Sequence, residues 1–229
     1  MRGEIKVNRK ISRMVGILFI IGTVSGILSL TAANMVNAPD YLVKISENRN
    51  MVILGALFVL IMGISLSMMS VLLYPVIKKY NEALALGAVI FRGALELVTY
   101  MVVAMSWLLL LTLSQEFVLA GTSVPYYQLM GNLLRDVISR NASMMGIVFS
   151  IGALIIYNVF YKTKLVPPWL SLWGFMGGIL YLAYPILFMF DYDIGILQMP
   201  LCIQEMIMAG WLIIKGFNPS AYESLMREK

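Results

Sequence analysis

Apolar residues are gathered into six long runs, separated by short polar segments. A helix needs about 20 apolar residues to cross the hydrocarbon core of a bilayer. The pattern therefore predicts an all-α polytopic membrane bundle with six transmembrane helices, numbered here as spans 1 to 6. The predicted spans lie near residues 14–34, 51–74, 84–113, 141–161, 168–190 and 194–215.

Composition agrees with the apolar runs. Of the 229 residues, 60% are hydrophobic and 13% are charged, and the mean hydropathy is +0.85. A soluble core of this size could not hide so many apolar side chains. No linker rich in Gly, Ser or Pro and no block of like charge divides the sequence. We therefore expect residues 1–229 to form a single transmembrane domain.

The basic residues are unevenly shared between the two sides of the predicted bundle. Six spans place both termini on one side, where twelve of the lysines and arginines fall, and four fall on the other side. Because basic residues favour the cytoplasmic side, we expect both termini to be cytoplasmic. The net charge of +5 is scattered over span ends, where lipid headgroups account for it. The expected partner is the lipid bilayer, with no nucleic acid.

Two connections on the side away from the termini carry helical patterns of their own. Apolar residues at 129–138 recur at helical spacing behind Pro125, which predicts a short helix on the outer surface or an extension of span 4. Residues 41–45 predict a shorter interfacial segment. Asp191 and Asp193 precede span 6, where we expect them to cap its N-terminus, since two carboxylates are too few for a metal site.

Small residues and aromatic rings suggest how the spans pack. Four spans contain pairs of small residues four positions apart, which let helix backbones approach closely: Gly22 and Gly26, Gly63 and Ser67, Gly146 and Ser150, and Gly174 and Gly178. These pairs fit either contacts inside the chain or a homodimer. Tyrosines and tryptophans near span ends, including Tyr157, are expected at the membrane interface.

Three charged residues interrupt the apolar runs: Arg92 and Glu96 in span 3, and Glu205 in span 6. Arg92 and Glu96 are four positions apart and share one helical face, which Tyr100 extends. A charge at the centre of a spanning helix costs about 2.5–3.5 kcal/mol on insertion scales. We therefore expect the three charges to face the interior and to share partners.

Depth in the membrane groups Glu205 with the pair. Ten residues separate Glu82 from Arg92, and ten separate Glu205 from Lys215. At about 1.5 Å per residue, Arg92 and Glu205 both lie about 15 Å from these markers on the same side. The sequence thus predicts a buried cluster of Arg92, Glu96 and Glu205 that joins spans 3 and 6.

The surroundings and the charge of this cluster also follow from the sequence. Gln198 and Cys202 share the helical face of Glu205, so they are expected, with Tyr100, to line a cavity. One guanidinium against two carboxylates leaves a net charge of minus one. A proton on one carboxyl, or a bound cation, would balance it.

The residue inventory excludes several classes of chemistry. Histidine is absent and Cys202 is the only cysteine. This excludes a disulfide within the chain, most soft-ligand metal sites, haem held by histidine, and proteolysis by Ser-His or HExxH chemistry. We expect no metal and no cofactor.

Three functions remain open on the sequence alone. The favoured one is a non-enzymatic small-ligand sensor or accessory subunit, acting with a membrane partner protein or a second copy of the chain. A proton- or cation-coupled carrier using Glu205 or Glu96 is the first alternative. A lipid-modifying membrane enzyme with one of these carboxylates as general base is the second.

Short motifs spread over nearly the whole chain add a family resemblance. The motifs are Gly16 to Gly22, Leu73-Tyr74-Pro75, Phe91-Arg92 with Glu96, Tyr161-Lys162, Leu165-Val166-Pro167, Trp169-Leu170-Ser171, Glu205, Trp211-Leu212-Ile213 and Lys215-Gly216-Phe217. In this combination the chain resembles a bacterial integral-membrane family known as domain of unknown function 4386. The resemblance implies a multi-pass protein of a bacterial plasma membrane, and it supplies no reaction or substrate.

Overall fold

The computed structural model describes residues 2–121 and 125–227, with side chains from Arg9 onward. This part of the chain contains helices and no strands. The elements are α1 (Arg2–Val36), α2 (Tyr41–Glu47), α3 (Arg49–Tyr80), α4 (Glu82–Ala88), a π-helical segment (Val89–Leu95), α5 (Glu96–Leu119), α6 (Pro125–Thr163), α7 (Pro168–Phe188), a 3₁₀ turn (Gly195–Gln198), α8 (Met199–Ile214) and α9 (Pro219–Arg227).

The predicted fold class is confirmed. Within the described residues, six helical stretches are long and apolar enough to cross a membrane: Arg9–Val36, Arg49–Tyr80, Glu82–Leu119, Pro125–Thr163, Pro168–Phe188 and Gly195–Ile214. Each coincides with one predicted span. The largest difference is in span 4, which begins at Pro125 instead of near 141. Of the two predicted forms of this segment, the structure has the extension of span 4. Polar residues such as Arg135 and Arg140 interrupt the apolar pattern, so the sequence did not show that the helix is continuous.

The short helix α2 lies where the sequence predicts a short segment at 41–45, and it is hydrogen-bonded to two spans. The hydroxyl of Tyr41 donates to the carbonyl oxygen of Gln128 at 3.3 Å and to Oδ1 of Asn132 at 3.1 Å. The hydroxyl of Ser114 donates to the carbonyl of Leu42. These bonds connect α2 to the extension of span 4 and to the end of span 3. The end of the bundle away from the termini is thus held by polar contacts.

The expectation that Asp191 or Asp193 caps span 6 is wrong. The 3₁₀ turn begins after Ile194, and α8 begins only at Met199. No side chain caps either start. Asp193 instead accepts a hydrogen bond from the hydroxyl of Tyr184 at 3.3 Å. The turn moves the start of the helix several residues beyond the reach of the two carboxylates.

The six spans form a closed ring in chain order. Each span packs against the next, and span 6 packs back against span 1. At the end that carries the termini, Nε of Arg13 donates to the carbonyl of Ile213 at 3.3 Å, and α9 packs against α1 and α3. Among the described residues, spans 3 and 6 do not pack along their length. Side chains at the centre of the ring must therefore reach across it to connect them.

Small residues of the predicted pairs face neighbouring spans of the same chain. A Cβ atom added to Gly22 would lie 3.0 Å from Leu66 of span 2, and one added to Gly146 would lie 3.0 Å from Pro185 of span 5. Both distances are below ordinary van der Waals contact. These glycines therefore serve the packing of the ring, and a homodimer stays a prediction that other surfaces would have to support.

Candidate functional site: a charge cluster at the centre of the ring

Span 3 changes its helical geometry where its charges lie. It begins as the α-helix α4, widens into the π-helical segment Val89–Leu95, and returns to α-helix at Glu96. Hydrogen bonds in a π-helix run from residue i to i+5, and such segments occur frequently at functional sites. Arg92 lies in the middle of the segment. The widened turn presents the backbone and side chain of Arg92 to the interior of the ring.

Gly152 of span 4 makes room for this turn. A Cβ atom added to Gly152 would lie 2.7 Å from the backbone nitrogen of Arg92 and 2.7 Å from its Cβ atom. Real Cβ atoms essentially never approach other atoms so closely. The backbones of spans 3 and 4 therefore touch at Arg92, and only glycine fits on the side of span 4.

The guanidinium of Arg92 bridges two carboxylates. Its Nη1 donates to Oε1 and Oε2 of Glu96 at 2.6 and 2.7 Å, and its Nη2 donates to Oε1 of Glu205 at 2.9 Å. The hydroxyl of Tyr100 donates to Oε1 of Glu96 at 3.0 Å. Arg92 and Glu96 are each 1% exposed, whereas the side chain of Glu205 is 14% exposed. Glu96 is therefore sealed in the interior, and Glu205 is the accessible member.

Aromatic rings enclose the guanidinium. The Cζ atom of Arg92 lies 4.1 Å from the ring centroid of Phe149 and 5.9 Å from that of Phe19. The ring of Phe149 in turn packs against Tyr181, with centroids 4.6 Å apart. A cation over an aromatic face gains about 0.5–2 kcal/mol, most where water is absent. These rings also lower the local dielectric, which strengthens the hydrogen bonds to the carboxylates.

A second polar group lies beside Glu205. Gln204 is fully buried, and its Nε2 donates to the carbonyl of Leu170 at 3.0 Å. Its Oε1 has no hydrogen-bond partner among the described residues, and neither does the buried hydroxyl of Tyr157. That hydroxyl approaches the Glu205 carboxylate without completing a hydrogen bond. Gly174 makes the space, because a Cβ atom there would lie 2.7 Å from the Tyr157 ring and 2.8 Å from Nε2 of Gln204.

The structure brings Arg92, Glu96, Glu205 and Tyr100 together. Cys202 lies on the same α-helix as Glu205, three residues before it, with an exposed side chain, and its place in a cavity lining stays a prediction.

Gln198 lies in the 3₁₀ turn, before the α-helix that carries Glu205, and its place in a cavity lining also stays a prediction. The residues buried on the inner face of span 6 are Leu201, Gln204, Met208, Ala209 and Leu212.

A comparison with known protein families identifies the family of this chain. The family model described as domain of unknown function DUF4386 matches residues 14–216. The chain belongs to the DUF4386 family. No curated protein matches the chain, and no solved structure matches it. The DUF4386 match runs from span 1 to the end of span 6, so it includes the whole cluster of Arg92, Glu96 and Glu205.

The DUF4386 description assigns no function, so the chemistry of the site must be read from its geometry. Sequence reasoning missed Gln204, Tyr157 and Phe149. An amide in the middle of the apolar span 6 was a signal for Gln204, whereas Tyr157 was expected at the interface and is only 2% exposed. Among the described residues, no group of three or more acidic or cysteine side chains could hold a metal ion. The site pairs one guanidinium with two carboxylates.

Proposed function

We propose that this DUF4386 protein is a non-catalytic membrane protein, a small-ligand sensor or accessory subunit, in which Glu205 is the exchangeable member of a fixed ion-pair network. The observation that carries this proposal is that the two carboxylates differ in exposure and in their hydrogen bonds to Arg92. Arg92 binds both oxygens of the sealed Glu96 and one oxygen of the more exposed Glu205. Because Glu205 is the more exposed of the two carboxylates, it is the one at which a proton or a small cation is proposed to exchange.

The two contacts also differ in what they connect. Glu96 follows Arg92 by four residues within span 3, so their pairing does not depend on how the spans are arranged. Glu205 belongs to span 6, which does not pack along span 3 among the described residues. A ligand that binds Glu205 changes the link across the ring and leaves the pair within span 3 intact. A ligand can shift a conformational equilibrium only through such differential contacts.

Charge supports exchange at this position. With both carboxyls ionised, the cluster carries one positive and two negative charges, a net charge of minus one. In a dry interior this imbalance is costly, and uptake of a proton or a small cation removes it. The cluster is therefore neutral when its ligand or a proton is bound.

We place the protein in the plasma membrane of a bacterium, with both termini in the cytoplasm. The excess of lysine and arginine on the side of the termini supports this orientation. A second copy of the chain or a membrane partner protein would carry the output of a sensor or accessory subunit.

A proton- or cation-coupled carrier is the second candidate, and the 14% exposure of Glu205 favours it. A carrier needs a charged group near the middle of the membrane that is reached in turn from each side. Glu205 is the more exposed of the two carboxylates in the cluster. The same variant separates the two candidates, because only a carrier would move its ligand across a bilayer.

The test compares Glu205→Gln with Glu116→Gln, an exposed carboxylate in span 3. Thermal stability of the purified proteins is measured between mildly alkaline and mildly acidic pH. Proton uptake neutralises the cluster, so acidification should raise the melting temperature of the wild type and of Glu116→Gln. If the change is worth about 1 kcal/mol, it amounts to about 2–4 °C for a chain of this length.

Glu205→Gln should lose this rise, since it carries no exchangeable charge. An undiminished rise in Glu205→Gln would contradict the proposal. If wild-type protein in liposomes also shows a pH-dependent flux that Glu205→Gln lacks, the carrier replaces the sensor.

A further inference from the structure

Two buried oxygen atoms without a hydrogen-bond partner, Oε1 of Gln204 and the hydroxyl oxygen of Tyr157, belong to residues beside the exchangeable carboxylate. We propose that an ammonium-type cation, the ammonium ion or a small protonated primary amine, binds between Glu205, Gln204 and Tyr157. This inference rests on the proposed function, because it names the ligand class of the same site. It adds two residues that the charge cluster itself does not require.

The orientation of the Gln204 amide is fixed by its neighbour. The carbonyl of Leu170 can only accept a hydrogen bond, so the amide nitrogen must face it, and the two atoms lie 3.0 Å apart. Oε1 of Gln204 is thereby turned away and remains an unpaired acceptor in a fully buried side chain. An unpaired buried acceptor costs about 1–3 kcal/mol, and a ligand that donates to it would remove this cost.

Tyr157 and Glu205 supply the other oxygens. The Tyr157 hydroxyl is buried without a hydrogen-bond partner and lies near both Gln204 and Glu205. Arg92 occupies Oε1 of Glu205, and its second oxygen, Oε2, accepts no hydrogen bond among the described residues. Three acceptors of this kind match the three or more N–H donors of an ammonium group.

Charge and ring chemistry select an ammonium group over a neutral donor. The groups that face the site are Arg92, Glu96 and Glu205, whose summed charge of minus one a single cation neutralises. The aromatic rings of Tyr157 and Tyr181 line the same interior, and ammonium groups gain from aromatic faces. An alkali cation would have to give up its water for only three oxygens, fewer than hard cations usually take.

Gly174 limits the size of the ligand. A Cβ atom at this position would already collide with the Tyr157 ring and with Nε2 of Gln204. The space beside these groups is therefore narrow, and a compact head with hydrogen-bond donors fits it better than a bulky quaternary ammonium. The inference thus separates methylammonium from tetramethylammonium, which has the same charge and no N–H group.

The experiment measures the melting temperature of the purified full-length protein with methylammonium, tetramethylammonium or sodium chloride, at equal ionic strength and constant pH. A ligand that binds only the folded state raises the melting temperature with its concentration. Methylammonium should stabilise the wild type saturably, and the other two salts should not.

Gln204→Leu and Tyr157→Phe should each raise the half-saturating methylammonium concentration by about tenfold, which is the loss of about one hydrogen bond of 1.4 kcal/mol. Gln198→Leu, which changes an amide outside the site, is the matched control and should respond as the wild type does. Tyr157→Phe removes a single oxygen, so it tests the site even if Gln204→Leu folds poorly.

Four results would overturn the inference. Sodium that stabilises as well as methylammonium would make this an alkali-cation site, and an equal response to tetramethylammonium would show a non-specific charge effect. An unchanged methylammonium response in both variants would place binding elsewhere. If no salt acts while the pH-dependent rise persists and requires Glu205, the inference fails and the proposed function stands. If that rise is absent from the wild type, the proposed function itself fails.

Discussion

Arg92 donates hydrogen bonds to two carboxylates from a position that is 1% exposed. Removing a buried charge differs from removing a surface charge, because its partners stay behind without compensation. Breaking a buried pair from one side typically costs about 3–5 kcal/mol, whereas replacing the whole group by apolar residues can be neutral. The contribution of Arg92 to the free energy of unfolding therefore depends on whether Glu96 is charged.

Replacing Arg92 by methionine tests this dependence. We expect Arg92→Met to lower the free energy of unfolding by about 3–5 kcal/mol, since it leaves the buried Glu96 and the partly exposed Glu205 without their cation. Glu96→Gln in the same chain should restore part of this loss, with a coupling energy of about 0.5–3 kcal/mol. Denaturant titration of the two single variants and the double variant measures the coupling. Additive effects would show that the Arg92–Glu96 pair contributes nothing of its own.

Sequence spacing was sufficient for part of the site. Arg92 and Glu96 are one helical turn apart, and Glu205 lies at the same depth, so charge and geometry both pointed to their meeting. Helical spacing does not relate Gln198 to Glu205, because the α-helix that carries Glu205 begins only at Met199. Gln204 and Tyr157 contribute through atoms that no spacing rule relates, since their nearness depends on the missing side chain of Gly174.

At the scale of elements, the π-helical segment Val89–Leu95 and span 4 determine where the cluster lies. The segment brings the backbone of Arg92 against span 4 at Gly152. The long apolar runs predicted each span, because the length of an apolar helix is written directly in the sequence. The π-helical segment was not predicted, because the run of apolar residues around Arg92 is the same in an α-helix and in a π-helix.

Gly152→Ala tests this contact, with Gly210→Ala as its matched control. The added methyl group at Gly152 would overlap the backbone of Arg92, and overpacking of this kind costs about 1–3 kcal/mol. A Cβ atom at Gly210 meets nothing within 4 Å, so that variant should keep the wild-type stability. The melting temperature of Gly152→Ala should lie below that of Gly210→Ala by about 2–4 °C for each kcal/mol of destabilisation. Equal melting temperatures would mean that the two helices separate at no cost.

At the scale of the whole molecule, the ring determines which groups can meet. Spans that follow each other in the sequence pack side by side, and spans 1 and 6 complete the ring. The count of spans was predictable from the apolar runs. Ring closure was not, because the contact between Gly16 of span 1 and the backbone of Ala209 in span 6 depends on residues far apart in the sequence.

The orientation of the ring is a separate prediction. In a Cys202→Ser background, Ser139→Cys and Ser224→Cys place a single exposed thiol at opposite ends of the bundle. We expect a membrane-impermeant maleimide to label Ser139→Cys on intact cells, and Ser224→Cys only after the membrane is opened, because basic residues favour the cytoplasmic side. The reverse labelling pattern would place the termini outside.

Because Glu96 lies on the same span as Arg92, the two residues are synthesised together and can pair before the later spans are made. Arg92 is synthesised before Glu205, because it precedes Glu205 by 113 residues. Its guanidinium needs a counterion at that moment, and Glu96, one turn along the same helix, is already present. Span 3 can thus insert as a neutral pair. Glu205 then pairs with Arg92 at the same depth when span 6 packs against spans 1 and 5. The charge of Arg92 therefore has a counterion both before and after the ring closes.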